Sequence, residues 1–135
     1  MASIHREVHL RAPPEQVWDA VRDIGSIHTR LAPGFVTDTK LEPGARVVSF
    51  ANGVVARELM VDLDDETRRL AWAAVSGRLT HHNASLQVFP EGGGGTRAVW
   101  IADLLPDELK DPIAAMIEEG LRAMQRHFDR ACATC

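Results

Sequence analysis

Two adjacent pairs, Arg57-Glu58 and His81-His82, carry the most chemistry in otherwise apolar surroundings. Successive side chains of a strand point to opposite faces, so one member of each pair turns inward if these segments are strands. A carboxylate in an apolar hollow is costly to ionise; its pKa rises and it can act as a general acid or base. An imidazole, which titrates near neutrality, is its natural partner. The plainer alternative for a buried Glu58 is a structural pairing with a histidine or arginine, or a solvated place near a cavity mouth. His81 and His82 face opposite ways and cannot clamp one metal from a flat strand. His28 and His127 could approach from helices, but no H-x-x-x-H spacing supports a site, so neither a metal nor another cofactor is expected. Cys132 and Cys135 form a C-x-x-C with no second half, which reads as a frayed chain end. The run Gly92 to Gly95 lacks the lysine and following helix of a phosphate cradle, and no nucleophile elbow or dinucleotide fingerprint occurs.

The elements that must position these residues begin with the last. From Asp107 to Arg130, Leu109, Ile113, Met116, Ile117, Gly120, Met124, His127 and Phe128 recur at helical spacing, and charged residues fill the other side. Gly120 costs about 1 kcal/mol against alanine inside such a helix, so the space it leaves must be wanted, by close packing or by a cavity. At the other end, Ser3–Arg11 alternates as a half-buried strand. Pro13-Pro14-Glu15 starts a short helix over Val17, Trp18 and Val21, Gly25 breaks it, and Ser26–Leu31 reads as a second one. Six strands follow: Phe35–Leu41, Arg46–Phe50, Val54–Leu63, Arg69–Val75, Leu79–Phe89 and Thr96–Leu104. Turn signals such as Pro43-Gly44, Asn52-Gly53 and Ser76-Gly77 separate them.

The fold class is therefore α+β. A seven-stranded antiparallel sheet curls around one long C-terminal helix, with two short helices after strand 1. One helix cannot fill a concave sheet, so a cavity between them is a physical expectation. Alternation places Ala98, Trp100, Ala102 and Leu104 on the inner face, with Leu70, Trp72 and Ala74, and with His82, Ala84, Leu86 and Val88. In Val54–Leu63 the apolar count favours Val55, Arg57, Leu59, Val61 and Leu63 as inner over Ala56, Glu58 and Met60. Either choice turns one charged residue toward the hollow.

The 135 residues suffice for one domain, 1–135, with a real core. The net charge of −4 and the lack of a basic run disfavour nucleic acid and anionic membrane surfaces. No segment is apolar enough for a signal peptide or a membrane span, so a soluble, cytoplasmic protein without membrane insertion is expected.

Three stretches carry a family resemblance: Ala12-Pro13-Pro14-Glu15-Gln16-Val17-Trp18-Asp19, Arg57-Glu58-Leu59 with Leu63-Asp64-Asp65-Glu66, and Trp100-Ile101-Ala102-Asp103. Across the whole chain the sequence resembles the START/SRPBCC superfamily. That helix-grip fold is shared by birch-pollen-type allergens, plant abscisic-acid receptors and bacterial polyketide cyclases. The resemblance implies that Glu58, with Met60 beside it, lines the pocket and that Arg57 points out. It implies the same for Leu70, Trp72, His82, Ala84 and Trp100. The helix adds Ile113, Met116, Gly120 and Met124, and Phe50, Asn52, Arg78 and Leu79 fall in the family's gating loops. The first gate loop is shorter here and no lysine stands at the receptors' anion-binding position, which argues against a carboxylate hormone.

The function implied is binding of a small hydrophobic molecule, polycyclic or lipid-like, between sheet and helix. A cofactor-free polyketide cyclase/aromatase using Glu58 and His82 as acid and base is the alternative, and a protein-interaction module with a vestigial cavity is the third.

Overall fold

The computed structural model describes residues 2–131 apart from Ser76. Strand β1 (Ala2–Leu10) leads into α1 (Pro14–Arg22) and a five-residue π turn (Ile27–Leu31). Strands β2 (Val36–Glu42), β3 (Ala45–Phe50), β4 (Val55–Asp64), β5 (Arg69–Val75), β6 (His81–Pro90) and β7 (Thr96–Leu105) follow. A 3-10 turn (Asp107–Leu109) then opens into α2 (Lys110–Ala131). The seven strands form one sheet in the order β1-β7-β6-β5-β4-β3-β2, antiparallel throughout. This is the helix-grip arrangement. Cys132 and Cys135, read as a frayed end, lie outside the described residues.

Pro13 and Pro14 begin α1 as their fixed φ allows, and Val17, Trp18 and Val21 bury its apolar face. The helix is pinned across the molecule. The Trp18 indole N–H donates to Asp65 Oδ1 at 2.9 Å, and Arg22 Nε donates to the same oxygen at 2.8 Å. Asp65 sits in the β4–β5 turn, where Asp64 Oδ1 accepts from the backbone N–H groups of Glu66 and Thr67. Two of the stretches that carry the family resemblance are thus joined by one side-chain contact.

Helix α2 packs Ile117, Leu121, Met124 and Phe128 against the sheet. Ala114 and Ala123 are buried as well, so its apolar face is wider than the sequence stripe, which omits Leu121 and both alanines. The far end of α2 is tied to β1 by Gln125 donating to the His9 carbonyl and by the Arg11 N–H donating to Asp129.

The inner face of β4 departs from the apolar count. Ala56 and Glu58 are buried, whereas Val55 and Val61 are 56% and 63% exposed, so the outer face carries the branched residues. A register shift between Met60 and Asp62 ends the alternation there. No helix among the described residues is long and apolar enough to cross a membrane.

Candidate ligand cavity between sheet and helix

Glu58 and Arg46 form the polar centre of the interior. They face each other across the β3–β4 ladder, and Arg46 Nε donates to Glu58 Oε1 at 2.8 Å. Both residues are buried, at 4% and 8% exposure. The guanidinium also donates to the Ile24 carbonyl at 3.3 Å and lies 5.4 Å from the Trp72 ring centroid. Burial pushes the Glu58 carboxyl above the ordinary carboxylate range, while the charge and hydrogen bond of Arg46 pull it back. The structural pairing weighed for Glu58 is therefore what the fold builds, with Arg46 as partner.

His82 has a different duty. The β5–β6 ladder is regular only as far as Trp72↔Ala84. Two residues further along each strand, the Ala74 N–H donates to His82 Nδ1 at 3.1 Å, so the imidazole supplies the acceptor that a backbone carbonyl would otherwise provide. That bond fixes the neutral tautomer with its proton on Nε2. Burial lowers the His82 pKa, opposed by a hydrogen bond to its own backbone. Among the described residues, Glu58 and His82 are not hydrogen-bonded to each other, although both stand on the wall of one cavity.

That cavity has a volume of about 100 Å³ and is bounded by Trp72, Leu79, Ile113, Met116 and Ile117 besides Glu58 and His82. A second, of about 60 Å³, lies toward the π turn, against Leu70, Leu86, Gly120, Met124 and Arg46. Phe35, Phe50, Glu58, Trp72 and Trp100 line both, so these side chains form the partition between two lobes of one hollow. Trp72 and Trp100 meet edge to face with centroids 5.8 Å apart. Trp100 also carries a buried indole N–H with no hydrogen-bond partner. Gly120 is where α2 rests on the partition. A Cβ there would stand 3.0 Å from Trp100 Cζ3 and 3.0 Å from Phe35 Cε2.

The sequence-predicted residues divide as follows. Glu58, Trp72, Trp100 and Phe50 line both lobes; His82, Leu79, Ile113 and Met116 line the larger; Leu70, Gly120 and Met124 line the smaller. Met60 does not reach either lobe. It lies beside the register shift in β4, in a shallow pocket with Ile24 and Leu70. Ala84 is buried beside Trp72, its partner across the β5–β6 ladder, and lines neither lobe. Asn52 faces an outer groove, where its side chain accepts from the Val54 N–H, and Arg78 is exposed and away from both lobes. His28 bonds Thr39, and His127 meets Phe128 edge to face.

Phe35 and Arg46 were missed. The signal for Arg46 was available: if Ser49 pairs with Val55 across the Asn52-Gly53 hairpin, counting back three residues sets Arg46 opposite Glu58. Phe35 opens a strand in the sequence reading, whereas β2 begins at Val36 and Phe35 lies in the turn before it, outside the strand's alternation.

An antiparallel sheet gripping a long helix over a divided apolar hollow defines a helix-grip cavity protein. Consistent with that class, a family model described as polyketide cyclase / dehydrase and lipid transport matches residues 1–133, and the chain belongs to this family. Its fold is similar to that of protein XoxI from Bacillus cereus, at 21% identity and a TM-score of 0.83, covering 95% of this chain and 96% of that one. A protein from Thermobifida fusca is 27% identical with a TM-score of 0.77, over 96% of this chain and 95% of its own. A START superfamily protein from Mycobacterium smegmatis has a TM-score of 0.76 at 12% identity, over 96% and 98% of the two chains. Among functionally curated proteins, none matches the sequence.

Proposed function

We propose that the protein binds a small hydrophobic molecule in the two-lobed hollow between sheet and α2. The observation that carries this reading is the pair of apolar cavities sharing an aromatic partition, Phe35, Phe50, Trp72 and Trp100. Both lobes fall well below the ~300 Å³ at which pockets for drug-sized ligands begin. As the rings stand, a rigid polycyclic skeleton does not fit across them; a guest of one or two rings, or a short flexible chain, requires the smallest displacement of the rings. The unpartnered Trp100 N–H favours a guest that brings one acceptor, such as a carbonyl or ether oxygen. A thermal-shift panel of short-chain lipids, small aromatic ketones and flavonoids tests the reading. Stabilisation rising with ligand concentration by mass action supports it, and no shift from any compound refutes it.

The cyclase-type enzyme is the second reading, because Glu58 and His82 share the wall of the larger lobe. Against it, Glu58 is committed to Arg46 and His82 Nδ1 to Ala74. Replacing His82 by Asn keeps an acceptor near the Nδ1 position but transfers no proton. Turnover that survives this change removes His82 from any acid–base role.

A further inference from the structure

Outside the partition lies a groove of about 290 Å³, larger than either inner lobe. Its inner wall is the Phe35–Phe50 pair, edge to face at 5.2 Å, and the same two rings line both lobes. The pair is therefore the boundary between the exterior and the hollow. Phe35 lies in the turn beside Gly34, which holds a positive φ of 90°, and Phe50 is the last residue of β3, where the chain enters the turn that contains Gly53. Across the groove, one turn apart on α2, stand Arg122 and Arg126. Neither has a carboxylate partner among the described residues; Arg6, Arg22, Arg30, Arg57 and Arg97 do, while Arg11, Arg68, Arg69 and Arg78 are likewise without one but do not line this groove. Glu119 lies in the same groove, but two arginines against one glutamate leave it net positive.

An apolar hollow, a two-ring door and a cationic porch in that order match one kind of molecule. We propose that Arg122 and Arg126 form an anion subsite that holds the carboxylate of an amphipathic ligand whose hydrocarbon part passes between Phe35 and Phe50 into the inner lobes. Guanidinium forks take planar carboxylates through paired N–H donors, which suits two arginines a helical turn apart. The sequence argued against a carboxylate guest because no lysine stands at the related receptors' anion position; the cationic groups are instead on the outer side of α2. This inference rests on the cavity-binding reading above and adds the head-group chemistry and the route of entry.

The test compares straight-chain carboxylates of six to ten carbons with the alcohols of equal length, by titration calorimetry at low and high salt. The proteins are the wild type, Arg122→Gln, Arg126→Gln and the double variant; both side chains are exposed, so the variants should fold normally. The expected result is that wild type binds the carboxylate about tenfold tighter than the matching alcohol. The double variant should lose that preference while its alcohol affinity stays unchanged, and salt should weaken only the carboxylate. Equal binding of acid and alcohol by wild type, or an undiminished preference in the double variant, overturns the anion subsite while leaving the cavity reading in place. Failure of every acid and every alcohol to bind overturns the anion subsite and its hydrocarbon guest, and the cavity reading falls with it when the thermal-shift panel is also silent.

Discussion

Glu58 is held at 2.8 Å by Arg46 in a wall otherwise built of apolar side chains, and the energetics of that pair decide what substitution does. Breaking a buried ion pair by removing one partner leaves the other charge uncompensated, which costs about 3–5 kcal/mol, whereas replacing both with apolar residues of similar size is often close to neutral. Glu58→Gln should therefore lower the urea-denaturation stability by at least ~2 kcal/mol, the amide retaining part of the bond. The Arg46→Met/Glu58→Leu double variant should be more stable than either single change. A double variant whose loss equals the sum of the two would show that the pair is not coupled. His82 gives a pH prediction. Its folded pKa lies below the ordinary value of 6.5, so between these two the unfolded chain binds more protons than the folded one. Stability is then fully present above pH ~6.5 and is lost as pH falls through the folded pKa. Glu58 works the other way: its raised pKa favours the folded state at low pH and that contribution fades as pH rises. His82→Asn removes the first effect alone, so urea midpoints at pH 7.5 and 5.5 should lie closer together than in wild type. An unchanged gap would assign the acid sensitivity elsewhere.

At the scale of elements, α2 and the sheet meet at Gly120, whose missing side chain admits the rims of Trp100 and Phe35. Alanine there gains about 1 kcal/mol of helix propensity but requires both rings to give by a few tenths of an ångström. They border the lobes, so they can yield into empty space. Gly120→Ala should thus change the melting stability by less than ~1 kcal/mol while weakening any cavity ligand, and a variant with unchanged ligand affinity would show that the rings do not intrude. The amphipathic period of α2 and the turn-punctuated strands made the architecture legible, since each buries one face at a fixed spacing. Trp72 and Trp100 were legible for the same reason. Met60 was not, because a register shift in β4 cannot be seen in a strand's own alternation. The apolar count also misjudged β4, because its outer face keeps Val55 and Val61 exposed. Arg46 needed a pairing register, which is a property of two strands, and Phe35 needed a loop position, which no periodicity encodes.

The whole molecule presents a hollow that is split by aromatic rings, two of which, Phe35 and Phe50, also border the outer groove. Its polar groups are few and fixed: one ion pair, one imidazole already engaged, and the unpartnered Trp100 N–H. A guest must therefore part the rings, and the tryptophans will register its arrival. Trp18 serves as an internal control, because its indole N–H is bonded to Asp65 at the far side of α1 and it lines neither lobe. The most direct measurement is a titration of 15N-labelled protein with a binder from the panel, following the three indole N–H resonances. Occupation of the hollow predicts that the Trp72 and Trp100 signals move together and saturate while the Trp18 signal stays in place. Saturable binding that leaves Trp72 and Trp100 unmoved would contradict the account.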